Sequence, residues 1–111
     1  MTDCTLLTGA VAWVYALLTV ETPGTAIDPD ADTVEVTFLA AGETDLADAE
    51  WTEGAILTSG KEIFAEVLVG AQDDGGDLRL ELGDWQPYVR LTHGDQVVPL
   101  KPPGLVRVKA S

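Results

Sequence analysis

A chain of 111 residues with 46% hydrophobic content has the size of one domain and enough apolar residues for a single core, which excludes intrinsic disorder. Six lysines and arginines against 19 aspartates and glutamates leave a net charge of -13. That field repels a nucleic-acid backbone and an anionic membrane surface, so neither is expected as a partner. Cys4 is the lone cysteine and forbids an intrachain disulfide; the core must hold by packing, as in a protein folded in a reducing cytoplasm.

Residues 1–9 read as a polar N-terminal arm ahead of a domain at 10–111. They carry Asp3 and no basic residue, unlike a signal peptide, and the uncharged run from Gly9 to Leu18 is shorter than the roughly 20 residues of a membrane span. The stretch AVAWVYALLTVE from Ala10 to Glu21 sets Val11, Trp13, Tyr15 and Leu17 at odd positions and Val14, Ala16, Leu18 and Val20 at even ones. Its β-branched and aromatic content predicts a strand rather than a helix. Both faces are apolar, and a two-layer sandwich covers only one. The second cover is expected from the arm or from another protein.

Pro23-Gly24 ends that strand. Asp28, Asp30 and Asp32 then begin a calcium-loop pattern that fails further on, because Thr33 stands where glycine is needed and Leu39 where a bidentate glutamate is needed. A turn leading into a strand is the expectation. The alternative is a weak inter-loop calcium site completed by Asp73, Asp74 or Asp77.

Thr33–Ala41 predicts a strand with Val34, Val36 and Phe38 facing the core. The next segment is irregular, and 45–51 reads as a turn of helix or an extended connection, with Trp51 folded over the end of the domain. Glu62–Val69 is a strand with Ile63, Ala65, Val67 and Val69 inward; Glu62, Phe64, Glu66 and Leu68 face outward or toward a partner. Gly75-Gly76 suits a loop with positive φ angles. Strands follow at 78–82, 84–92, 96–100 and 105–109, broken at Gly83, at His93-Gly94-Asp95 and at Pro102-Pro103-Gly104. Leu80 joins the core set, as do Trp85, Val89 and Leu91, which share one alternation. About seven strands with frequent turns predict an all-β, immunoglobulin-like Greek-key sandwich.

Nothing in the sequence assembles a catalytic set. His93, the only histidine, sits in a turn without a nucleophile or metal co-ligands, and reads as an exposed turn residue. Cys4 reads as a surface thiol, and the many carboxylates as solvated. The expectation is no enzyme, no cofactor and no metal. Trp13 and Trp51 are left as interface candidates, since aromatic residues concentrate at binding hot spots.

The segments TVEVTFLAAGETDLADAEWTEG, EVLVG and LGDWQPYVRLTHGDQVVPLKPPGLVRV together resemble small virion-associated proteins of tailed bacteriophages and prophages of actinobacteria, over residues 25–108. Trp85 departs from the tyrosine of that pattern, and DDGGD after Gly70 replaces a Pro-Gly-rich turn. The resemblance implies a structural protein of the virion, made in the host cytoplasm. It implies a capsid decoration or minor capsid protein first, and a head–tail connector or tail protein second. Partners would be capsid or connector subunits of the same particle, with the chain present as a homo-oligomer or in many copies. The candidate interface is Val11, Trp13, Tyr15, Leu17, Trp51 and Phe64. A carbohydrate- or cell-surface-binding module is the rival from another class, because exposed tryptophans also stack on sugars.

Overall fold

A computed structural model describes residues 3–19 and 27–110; the turn expected at Pro23-Gly24, and Val20 before it, lie outside them. The described residues form nine strands and no helix: β1 (Cys4–Leu7), β2 (Val11–Leu17), β3 (Thr33–Ala40), β4 (Thr52–Ser59), β5 (Glu62–Ala71), β6 (Leu78–Leu80), β7 (Gly83–His93), β8 (Gln96–Leu100) and β9 (Val106–Lys109).

Two of these strands were not legible as strands. β1 occupies part of the expected arm, where only Cys4 and Leu6 face inward and four residues are too few to display a period. Cys4 N–H donates to Leu105 O at 2.8 Å, and the strand runs parallel to β9. β4 sets Thr52, Gly54 and Ile56 on its less exposed side, while Thr58 is exposed, so a single large apolar residue carries its inner face. Gly54 is needed there because a Cβ would stand 2.8 Å from Glu66 O, at the point where β4 passes from β3 to β5.

The strand order β1-β9-β7-β3-β4-β5-β2, with β6 beside β5 and β8 beside β7, is a strongly curled sheet that is nearly barrel-shaped. Its two ends, β1 and β2, are consecutive in sequence. One edge of β7 takes β8 and then β9, so the chain returns along it as a single strand interrupted at 101–105. Gln86 Nε2 donates to Pro102 O at 2.8 Å and closes that interruption. The β4–β5 and β7–β8 hairpins turn on Gly60 and Gly94, both at φ 59°, the glycine-first pattern of a type II′ turn. The loop after β5 behaves differently from expectation. Gln72 carries the positive φ of 51°, whereas Gly76 is required for close approach, since a Cβ would lie 2.7 Å from Leu68 O.

The core is built from alternating residues of every long strand. Val34, Val36, Phe38, Val67, Leu80, Val89 and Leu91 are all buried, together with Val14, Ala16, Val69, Val106 and Val108. Trp85 is a correction. It lies on the core side of β7 but at the rim, half-buried, where its indole N–H donates to Glu81 O at 2.9 Å. Leu82, the last residue of the strand expected over 78–82, lies beyond the end of β6 and is exposed. The turn of helix allowed for 45–51 is absent; Asp45 Oδ1 accepts from Ala47 N–H at 2.9 Å, and the segment stays irregular. This segment crosses the outer face of β3 and β7. Thr37 Oγ1 donates to Glu50 O at 2.8 Å, Tyr88 OH donates to Glu43 O at 3.3 Å, and both side chains are buried beneath it.

These positions set an order of stabilities. Leu91 is fully buried, and Leu91→Ala should cost about 3–4 kcal/mol, within the range for core leucines. Trp85→Ala should cost only about 2 kcal/mol, below the roughly 3–5 kcal/mol of a fully buried aromatic. Urea unfolding of both variants would show it; a larger loss for Trp85→Ala would mean that the rim position bears more of the packing than its exposure indicates.

Candidate functional site

The outer face of β2, β5 and β4 carries the largest concentration of exposed apolar groups. Strand register arranges it in rows: Trp13 beside Leu68, Tyr15 beside Glu66 and then Ala55, Leu17 beside Phe64 and then Leu57. Trp13 and Tyr15 are each 51% exposed, and Val11 and Leu57 stand out with them. Tyr15 meets Phe64 edge-on, with ring centroids 6.4 Å apart, which holds the tyrosine upright on the face. Leu17 and Phe64 are half-buried.

Two grooves border this face. One of about 460 Å³ runs between Trp13 and the start of β4, lined also by Glu53, Glu66 and Asp77. The other, about 420 Å³, passes around β2 between Cys4 on one side and Trp13, Tyr15 and Phe64 on the other. The sequence pointed to Val11, Trp13, Tyr15, Leu17 and Phe64, and the sheet places these five on one face. Leu57, Glu53 and Ala55 carry no such signal in the sequence, because β4 has no clear apolar period and only its register with β5 brings them there.

Trp51 belongs elsewhere. It is half-buried, and the Arg90 guanidinium carbon stands 4.5 Å from its ring centroid on the outer side of β3 and β7. Arg90 in turn grips Glu35 Oε1 through Nε at 3.0 Å and Nη2 at 2.7 Å. A cation held this way over an indole contributes about 0.5–1 kcal/mol at an exposed site. Trp51 is thus occupied within the chain and is not part of the Trp13 face.

The other arginines are paired too. Arg79 binds Asp74 and Glu81, and Arg107 binds Asp3. With all three arginines in ion pairs, Lys61, Lys101 and Lys109 are the remaining cations against an excess of carboxylates, and the surface field is strongly negative.

His93 is the second correction. It is not a free turn residue: its Nδ1 lies 2.8 Å from both carboxyl oxygens of Asp32, whose side chain is 3% exposed. The pairing of Thr33 with Thr92 brings these two ends together. Asp32 Oδ2 also accepts from Asp28 N–H at 2.8 Å, and Asp28 Oδ1 accepts from Asp30 N–H at 3.0 Å, so the acidic turn is closed upon itself. Asp73 accepts from Gly75 N–H within its own loop. A carboxylate orienting an imidazole is half of a nucleophile-activating arrangement. Among the described residues, however, His93 bonds to no hydroxyl or thiol, and no group of three or more histidine, cysteine, aspartate or glutamate side chains is placed to hold a metal ion. The pair clasps the 28–32 turn to the β7–β8 hairpin. Cys4 is half-buried on β1, not a surface thiol, and burial pushes its pKa up, away from the reactive thiolate.

Comparison with known protein families, with curated proteins and with solved structures finds no match.

Asp32 gives the fold an acid-sensitive point. Burial opposes its ionisation, but the Asp28 N–H and the His93 contact outweigh that and hold its carboxyl below the ordinary 3.8. A depressed carboxyl stabilises the fold above its unfolded value and ceases to do so as the pH falls through its folded value. The stability difference between the protein and Asp32→Asn should therefore be full just above 3.8 and shrink below it. Chemical denaturation of both across that range reads it; a difference that does not change with pH would show that the Asp32 charge is not what matters.

Proposed function

We propose that this chain is a non-enzymatic structural protein of a tailed-phage particle, which docks on a capsid or connector subunit through the outer face of β2, β5 and β4. One observation carries the docking: Trp13 and Tyr15, each 51% exposed, stand beside Val11, Leu57 and Phe64 on one sheet face of an otherwise acidic molecule. Large aromatic side chains left in water at the centre of an apolar face are the residues that contribute most when a partner buries them. The acidic remainder keeps such a face soluble and repels unsuitable partners.

The virion is supported by the resemblance over residues 25–108. In this reading the chain is a capsid decoration or minor capsid protein present in many copies, with a head–tail connector or tail position as the second possibility. The matching fold reading is a distorted immunoglobulin-like Greek-key sandwich. It is supported by the division into one layer of β1, β9, β8, β7 and β3 and another of β5, β2 and β6, with β4 shared between them.

Trp13→Glu combined with Tyr15→Lys should leave the fold intact, because both side chains lie outside the core. The double variant should melt near the parent temperature and disappear from particles assembled in its presence. Incorporation at parental levels would remove this face from assembly. Specific retention on a glycan array, abolished by the Trp13 change, would replace the reading with that of a carbohydrate-binding module.

A further inference from the structure

The reading just given leaves the partner's chemistry open, and this inference rests on it. We infer that the free edge of β2 takes up an extended, positively charged segment of the partner as an additional strand. Backbone geometry provides the first argument. Leu18 N–H donates to Ile63 O and Ala71 N–H to Ala10 O, both at 2.8 Å, which makes the even-numbered residues of β2 the ones bonded to β5. In an antiparallel ladder the intervening residues turn their N–H and C=O to the opposite edge. Val11, Trp13, Tyr15 and Leu17 therefore aim both backbone groups away from β5, and no described strand pairs with them.

That edge is also unguarded. Proteins protect edge strands with charges, prolines, bulges or very short length. The run from Ala10 to Leu18 contains no charged residue and no proline, and β2 pairs with β5 without interruption across seven residues. At the other end of the sheet β1 is only four residues long. The same four residues of β2 that offer backbone groups place their side chains on the exposed face, so a strand added there would also bury Trp13 and Tyr15.

Charge decides between occupants. The groove beside Trp13 is lined by Glu53, Glu66 and Asp77. A second copy, itself of net charge -13, would bring the same carboxylates against these and be repelled. Lysines or arginines on the outer side of an incoming strand would lie against the indole and phenol rings and reach toward Glu66, across two strand spacings or roughly 10 Å. The fitting partner is an extended basic segment, not another copy of this chain.

The probe is a nonapeptide alternating valine and arginine, titrated into the 111-residue chain while the backbone amide signals of Val11, Trp13 and Tyr15 are followed by NMR. These amides should shift and become protected from hydrogen exchange. A valine–glutamate peptide should bind at least about tenfold more weakly, a difference of roughly 1.4 kcal/mol. Glu53→Gln with Glu66→Gln should weaken binding by a similar factor. Asp45→Asn with Asp48→Asn, the same change in net charge on another part of the surface, should leave it within about twofold. Two further peptides, N-methylated either on every arginine or on every valine, test strand addition itself: one should bind as the parent does and the other should fail, because only one set of amides faces β2. Equal behaviour of the two methylated peptides, equal effects of the two charge changes, or self-association of the free protein through this edge would each overturn the inference. Particle incorporation separates this from the broader reading. If Trp13→Glu/Tyr15→Lys abolishes incorporation while the peptides fail, the docking face stands and strand addition falls; if the peptides bind while incorporation persists, the docking face itself is wrong.

Discussion

The corner between β1 and β2 sets the form of the rest of the molecule. β1 lies against β9 at one end of the strand order and β2 against β5 at the other, yet only three residues separate them. Thr8 N–H donates to Lys109 O and Gly9 N–H to Ala71 O, so the corner is tied to both ends of the sheet. Gly9 adopts φ 92°, a conformation that side-chain-bearing residues rarely take, while the space around it is open; its glycine is needed for backbone angle and not for room. Because the corner joins the two ends, the sheet must curl, and curling brings Leu6, Val14 and Ala16 onto the same core as Val34, Val89 and Val106. It also leaves β1 and β2 diverging, so the second edge of β2 is not taken up by its neighbour in sequence.

Legibility followed side-chain chemistry. β3, β5 and β7 each carry an unbroken alternating row of apolar residues, set against polar ones at most of the intervening positions, and most of their inward residues were readable one by one. β4 was hidden because its inner face holds a threonine and a glycine beside Ile56, which satisfy the packing where the curled sheet is tight but leave no apolar period. Trp85 showed the right phase but the wrong depth: alternation gives the direction of a side chain, not how near the rim it lies. Tyr88 and Thr37 are buried on the side that alternation assigns to solvent, and only the 41–50 segment crossing above them explains it. The Asp32–His93 pair was invisible for a related reason. Its partners lie 61 residues apart, and only the register of β3 on β7 makes them neighbours. The exposed face of β2 was more accessible, since its two apolar sides already called for a second cover, from the arm or from another protein.

The two outer surfaces of the sheet meet that problem in opposite ways. Over β3 and β7, the chain supplies its own cover: residues 41–50 lie across Thr37 and Tyr88, and beside them Trp51, Arg90 and Glu35 neutralise and stack upon one another. Every polar group named there has a partner within the molecule. Over β2 and β5 no described segment does the same, although the aromatic side chains are larger and the strand has no charge to keep it wet. The chain buries one outer face with ten residues of irregular backbone, and no described segment covers the other. That contrast is what supports the proposed docking face over ordinary apolar exposure. Scattered apolar groups on a surface carry no message; here an unpaired backbone edge among the described strands, two upright aromatics and an acidic groove coincide on one face, and that coincidence is what supports the proposed occupant, whose backbone, apolar side chains and charge would complement all three.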